Sequence, residues 1–262
     1  MPIVEKHAPG SFCWAELATT DPAAAKTFYG SLFQWGSQDE SMGEGMAYTT
    51  LQVQSQPAAG MYGLTPDMLA QGVPPHWMVY FTVLDATQSA AQAKELGGKI
   101  VAGPLDAHDI GRMAVIEDPT GAKFAVWQPL RHIGAKIVNE IGTPFWPELA
   151  TRDTGKAQGF YTKLLGWGAK KSPAPMPYTE WQLGGQSIGG MMEMDGKWGD
   201  APPHWMIYIM VADCDAVAAK AAQIGGTICA PPTDIPKVGR FAVLGDPQGA
   251  YFSIIQVGGM AQ

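Results

Sequence analysis

The sequence predicts an α+β fold of two tandem modules, each of paired βαβββ units forming a curved half-barrel sheet with helices outside. Three observations predict it: the chain repeats itself, each copy opens on a strand of period two, and capped Ala-rich helices follow. Trp14–Gly36 matches Trp146–Gly168 at a shift of 132, with 12 of 23 positions identical. Pro74–Gln128 matches Pro202–Gln256 at a shift of 128, with 27 of 55 identical. Four residues are therefore lost between the two blocks in the second copy. A period this long, present twice, marks duplicated domains and not a solenoid. The modules are placed at residues 1–132 and 140–262, with a connector around Arg131–Ile141.

Within a module the elements follow in order. Phe12–Thr19 alternates Phe12, Trp14 and Glu16 with Cys13, Ala15 and Leu17, a strand with two chemically different faces. Asp21 and Pro22 then supply an N-cap and a first-turn proline. Phe28 and Leu32 lie four apart on one face of the helix that follows. Strands run through Ala47–Val53 and Ala58–Leu64. His76–Val83, rich in β-branched and aromatic residues, opens the second round. Asp85–Leu96 is an Ala-rich helix closed by Gly97-Gly98. Met113–Glu117 and Lys123–Gln128 form a hairpin about Asp118-Pro119-Thr120-Gly121, with Pro second and Gly fourth in the turn.

Composition narrows the class of protein. A chain of 262 residues that is 46% hydrophobic has ample material for a packed core. The 32 Gly and 21 Pro call for many tight turns, which suits sheet-rich structure. A net charge of −7 argues against nucleic acid as a partner and against a basic membrane-docking face. The longest apolar runs, His76–Leu84 and His204–Ala212, fall well short of the roughly 18 residues a membrane span needs. MPIVEKHAPGSF has no apolar segment of the signal-peptide type. Cys13, Cys214 and Cys229 form no CxxC and are odd in number, so neither a disulfide framework nor a zinc knuckle is indicated. The expectation is a cytoplasmic protein, a monomer or homodimer, whose partner is a small molecule.

The motif D-x-x-x-A-x-x-F-Y-x-x-L (Asp21, Ala25, Phe28, Tyr29, Leu32), the L-G-G after the second helix and the D-P-x-G hairpin resemble the vicinal oxygen chelate superfamily. That superfamily contains glyoxalase I, bleomycin-resistance proteins and extradiol dioxygenases. Module two carries versions of all three cues, with Ile224 before its glycine pair, so the resemblance covers nearly the whole chain. It looks like a tandem, two-module glyoxalase-like protein. The resemblance implies a divalent metal held in the half-barrel by His, Glu or Gln, where it polarises substrate oxygens. Carried over, the ligand positions fall on Trp14 and Trp146, on Met78 and Met206, and on Ala125 and Ser253. None of these suits a hard or borderline cation, so no metal and no cofactor is expected.

Strand parity sets other groups in the same hollows. Glu16 and Glu148 share a face with Trp14 and Trp146; His76, Met78 and Tyr80 share one with each other, as do His204, Met206 and Tyr208. Arg112 and Arg240 follow a glycine at the mouth of the next strand, and Trp127 lies on the last strand of module one. The candidate acid–base residues are thus Glu16, His76, Glu148 and His204. The candidate ligand-binding residues are Trp14, Met78, Tyr80, Arg112, Trp127, Trp146, Met206, Tyr208 and Arg240. Blander roles compete: Glu16 can ion-pair with Arg112, His76 can bond a loop carbonyl, and Trp14 and Trp146 can plug the barrels. Three functions follow. One is a glyoxalase/bleomycin-resistance-like protein that binds a small apolar or aromatic molecule in its half-barrels. The second is a metal-free lyase or isomerase using Glu/His acid–base chemistry. The third is a metal-dependent lyase or dioxygenase with a shifted site. Trp127 and Lys123 correspond to Ile255 and Tyr251, so the two hollows should differ in polarity.

Overall fold

The computed structural model describes residues 3–43, 46–172 and 177–258. Module one runs β1 (Phe12–Thr19), α1 (Pro22–Phe33), β2 (Gly36–Gly43), β3 (Met46–Val53), β4 (Gln56–Gly63), α2 (Pro66–Ala70), β5 (His76–Thr82), α3 (Ala86–Glu95), β6 (Lys99–Ala107), β7 (Gly111–Glu117) and β8 (Lys123–Pro129). Module two runs β9 (Pro144–Thr151), α4 (Thr154–Leu165), β10 (Gly168–Ser172), β11 (Tyr178–Leu183), β12 (Gln186–Glu193), β13 (His204–Met210), α5 (Cys214–Gln223), β14 (Thr227–Ile235), β15 (Gly239–Gly245) and β16 (Tyr251–Val257). Each module is one eight-stranded sheet, ordered β2-β3-β4-β1-β5-β8-β7-β6 and β10-β11-β12-β9-β13-β16-β15-β14. β1 and β5 pair antiparallel at the centre, and each is flanked by a parallel partner, β4 or β8. The two βαβββ units of a module are therefore joined through their first strands.

Local signals act as the sequence predicts. The Asp21 carboxylate accepts from the amides of Ala23 and Ala24, and Asp85 does the same for Thr87 and Gln88. Gly97 and Gly225 end their helices at positive φ, +90° and +95°, where a side chain is strained. The sequence reading did not locate β2, an exposed edge strand with no buried residue to give it a periodic signature.

The helices lie outside each curved sheet, as expected, and each buries one apolar face while the opposite face is exposed. The convex faces of the two sheets pack back to back, α1 lies against α5 and α3 against α4, and β5 touches β13. A single apolar core runs through both modules, with Phe81 against Trp167 and Trp205, and Phe28 against Phe252. The repeated motifs bind one another across this core. The Tyr29 hydroxyl of the first F-Y pair donates to Asp246 in the second D-P-x-G turn at 3.0 Å. Tyr161 of the second F-Y pair donates to Asp118 in the first such turn at 2.8 Å. Trp77 and Trp205 each donate an indole N–H to the nearer tyrosine oxygen, so both hydroxyls are fully used. Trp35 and Trp167 donate reciprocally to the carbonyls of Gly142 and Gly10, each in the other half of the chain.

Candidate ligand site

The concave face of each sheet carries the same four-residue network. In module one, Trp14 Nε1 donates to the Tyr48 hydroxyl at 2.9 Å, Tyr48 donates to Glu16 Oε1 at 2.8 Å, and Tyr80 donates to Glu16 Oε2 at 2.6 Å. In module two, Trp146 donates to Tyr178 at 3.0 Å, Tyr178 to Glu148 Oε2 at 2.6 Å, and Tyr208 to Glu148 Oε1 at 2.8 Å. The indole fixes the direction of this chain. An indole N–H only donates, so the tyrosine oxygen facing it must accept and send its own proton to the carboxylate.

Two glycines make room for the network. A Cβ on Gly60 would stand 2.0 Å from the Tyr48 hydroxyl, and one on Gly190 would stand 1.7 Å from that of Tyr178. Both distances are far inside van der Waals contact, so each site needs a bare backbone there. Gly60 lies in register with Glu16, and Gly190 with Glu148. Tyr48 and Tyr178 escaped the sequence reading because they fall between the two aligned blocks, where the shift changes. The signal was present: Tyr-Thr recurs at 48 and 178, and Gly-Met at 60 and 190, both at a shift of 130.

Burial pushes the carboxyls of Glu16 and Glu148 above the ordinary range, and the tyrosine hydrogen bonds only partly offset it. The tyrosine hydroxyls are raised further, by burial and by the adjacent carboxylate. A carboxyl that binds its proton more tightly folded than unfolded supports the fold at low pH. That support is lost as pH climbs from the unfolded value, about 4.3, through the folded one. Glu148→Gln cannot ionise, so its Tm is expected to rise relative to the parent between about pH 4 and about pH 8. Thermal melts at both ends check this, and a difference that does not change with pH contradicts it.

The other predicted residues are placed differently. Arg112 lies opposite Gln128 and Asp106 in the ladder, and Gln128 caps α3 through the Ala86 amide on the helix side. Arg112 pairs with Asp106 at 3.3 Å, and Arg240 pairs with Asp215 and Asp234 at 2.6 and 2.9 Å. Neither arginine joins the concave network, because parity turns both to the helix-bearing face; Met113 and Phe241 occupy the neighbouring inward positions. Glu16 is therefore not ion-paired with Arg112. His76 and His204 bond the carbonyls of Pro74 and Pro202 through Nδ1, at 2.8 and 2.9 Å. Among the described residues, no hydrogen bond joins either histidine to a glutamate. Met78 and Met206 stand in register with Glu16 and Glu148 and are part-exposed.

The two concave faces are not equivalent. In module one Trp14, Tyr80, Trp127 and Ala135 form one buried cluster, with Met78, Met113 and Val138 packed on it. The connector closes it: Trp127 donates to the His132 carbonyl, the His132 ring meets Trp14 edge-on at 4.8 Å, and the Ala135 amide bonds Cys13. Trp14 is 4% exposed. The connector thus covers the Trp14 and Trp127 rings, while Glu16, Tyr48, Met78 and Met113 stay part-exposed. In module two Ile255 replaces Trp127, and Trp146, Met206 and Phe241 stay part-exposed around Tyr208. Two surface grooves lie elsewhere, one between Ile3–Lys6 and Val138–Glu140, the other along Asp234–Arg240.

The profile described as Glyoxalase/Bleomycin resistance protein/Dioxygenase superfamily matches residues 137–254, and that of the Glyoxalase-like domain matches residues 14–127. The chain belongs to this superfamily. Among its relatives, a Mycobacterium tuberculosis protein, CFP32, named as a candidate glyoxylase, is 41% identical over 261 residues, 98% of each chain. The anthracycline biosynthesis protein DnrV of Streptomyces peucetius is 34% identical over 269 residues, 96% of this chain and 95% of its own. The Mn(II)-bound glyoxalase from Novosphingobium aromaticivorans shares the fold with a TM-score of 0.64 at 12% identity, over 95% of this chain and 82% of that one. An extradiol ring-cleaving dioxygenase from B. fuscum does so with a TM-score of 0.66 at 15% identity, over 98% and 74%.

The metal that such relatives imply has no fitting donor set at the corresponding positions. Tyr80 and Ala125 are in register on the floor of module one, and Tyr208 and Ser253 on that of module two. The strand positions that resemblance assigns to ligands hold indole, thioether, methyl and hydroxyl groups, none a good ligand for manganese, iron or zinc. Among the described residues, no group of three or more His, Cys, Asp and Glu could hold an ion. No described helix is long and apolar enough to cross a membrane.

Proposed function

We propose that the chain binds one small aromatic molecule on the concave face of module two, without a metal. The observation that carries this reading is the asymmetry of the modules. Both keep a tyrosine-fenced glutamate, part-exposed at Glu16 and buried at Glu148, but the connector covers Trp14 and Trp127 in module one, whereas Trp146 and Phe241 in module two stay part-exposed. An aromatic wall with a few convergent polar groups is the usual form of a small-molecule site. The name of DnrV supports an aromatic ligand, since anthracyclines are polycyclic aromatics. Module one serves in this reading as the partner that completes the core.

Equilibrium titration with naphthalene or an anthraquinone sulfonate, followed by tryptophan fluorescence, tests it. One site per chain is expected, weakened at least about tenfold by Trp146→Ala, which removes roughly 1.4 kcal/mol or more of stacking. Two equivalent sites, or none, overturn it.

A second reading, a metal-free lyase or isomerase, draws on the Glu148 carboxyl, raised by burial like that of Glu16 but set beside the part-exposed Trp146 and Met206. A carboxyl poised above its ordinary range can hold or release a proton at working pH. Glu148→Gln should then abolish turnover while Glu16→Gln spares it. Equal loss from both, or from neither, contradicts an active centre in module two.

A further inference from the structure

The duplication supplies an internal comparison for the two arginines that parity turns away from the concave faces. Arg240 uses its guanidinium fully. Its Nε and Nη2 donate to the two oxygens of Asp215 at 2.6 and 2.9 Å, and Nη1 donates to Asp234 at 2.9 Å. Arg112 keeps the equivalent of the second partner, with Nη1 at 3.3 Å from Asp106. The equivalent of the first is gone, because Thr87 stands at the shift of 128 from Asp215. Among the described residues, Arg112 Nε has no hydrogen-bond partner. A guanidinium holds its donors in a rigid fork that matches a carboxylate, so this edge is one half of a preformed pair. The missing half lies at the surface: the Asp215 side chain that fills it in module two is 60% exposed, and Thr87 is exposed too.

The surroundings differ between the modules as well. Leu84, Ile110 and Leu130 are exposed about Arg112, where module two has Ala212, Val238 and Gly258. The ladder gathers them. Leu130 donates its amide to the Ile110 carbonyl, Arg112 lies opposite Gln128, and Gln128 bonds the Ala86 amide two residues past Leu84. Solvent-facing aliphatic side chains grouped about an open cation suit a molecule that is both acidic and apolar.

We infer that Arg112 anchors a second ligand site, on the helix-bearing face of module one, for a small amphiphilic carboxylate. The carboxylate takes the place of the Asp215 side chain on the Nε–Nη2 edge, and the hydrocarbon lies over Leu84 and Leu130. One guanidinium and three aliphatic side chains match a single acyl chain; a stable protein interface needs roughly 20–30 residues a side. Neighbouring acids leave room for it, since Asp85 is engaged by the α3 amides and Arg240 shows one guanidinium holding two carboxylates. The site stands apart from the aromatic one in module two and does not depend on it.

Nitrogen-edited proton NMR of the arginine Nε–H groups tests this, with signals assigned through Arg112→Lys and Arg240→Lys. Octanoate is expected to shift the Arg112 signal and leave that of Arg240 in place. Acetate should need at least about tenfold more ligand for the same shift, since it lacks the apolar tail. Octanol, which has the tail without the charge, should leave the signal unmoved. Thr87→Asp rebuilds the module-two pair and should abolish the octanoate response in a folded chain, whereas Thr87→Ser should keep it. Octanoate that moves neither arginine, or both equally, overturns the site, as does a response that survives Thr87→Asp. Equal potency of acetate and octanoate overturns the amphiphilic ligand.

Discussion

Tyr161→Ala is expected to destabilise the entire chain by about 4 kcal/mol, in a single transition that carries both modules. The ring is fully buried, lies parallel to Trp167 at a centroid distance of 5.5 Å and packs on Phe124 of module one at 5.3 Å. Its hydroxyl joins Trp205 of its own module to Asp118 of the other. Truncation thus leaves a large cavity and two buried polar groups without a partner, each of which adds to the cost. Tyr161→Phe isolates the second part and should cost about 2 kcal/mol. Denaturant unfolding read by far-ultraviolet circular dichroism and by tryptophan fluorescence checks both values. Coincident transitions are expected, since the apolar core is common to the two modules. If the probes separate and only the transition of module two moves, the modules fold independently and the shared core is energetically minor.

Gly190→Ala should remove ligand binding from a folded protein. The new methyl would occupy the place of the Tyr178 hydroxyl, so the ring must leave Glu148 or the strand must shift. Overpacking of this kind costs about 1–3 kcal/mol, and here it also strips one of two donors from a buried carboxylate. Gly60→Ala places the same strain in module one and should cost similar stability, yet leave binding intact. The pair separates function from fold. Equal loss of binding from both substitutions contradicts the assignment of the site to module two.

Much of the architecture was legible in the residues themselves. Period-two alternation at Phe12–Thr19, aspartate caps at Asp21 and Asp85, and the D-P-x-G turns each specify local geometry through contacts a few residues long. The duplication was legible because two blocks of identity stand at nearly constant spacing. Parity placed Trp, Glu and Tyr correctly on one face of β1 and β5, since side-chain alternation is a property of the strand alone. It failed for Arg112 and Arg240, because a residue near a strand entrance has no inward direction until the ladder register is known. The strand through Ala47–Val53 was legible, but Tyr48 and its counterpart Tyr178 were not singled out, because the shift changes there and only the sheet brings them beside Glu16 and Glu148.

Repetition, caps and turns thus determined that this chain makes two curved sheets, with an acidic and aromatic concave face on each. Tertiary structure alone decided that their backs share one core, that the F-Y and D-P-x-G motifs meet across it, and that the connector covers the indoles of one face and not of the other. The physical reason is the range of the interactions. Alternation and capping act within a turn or two of chain, whereas the cover on Trp14 comes from Trp127 and His132, which reach it only after more than a hundred residues have folded between them.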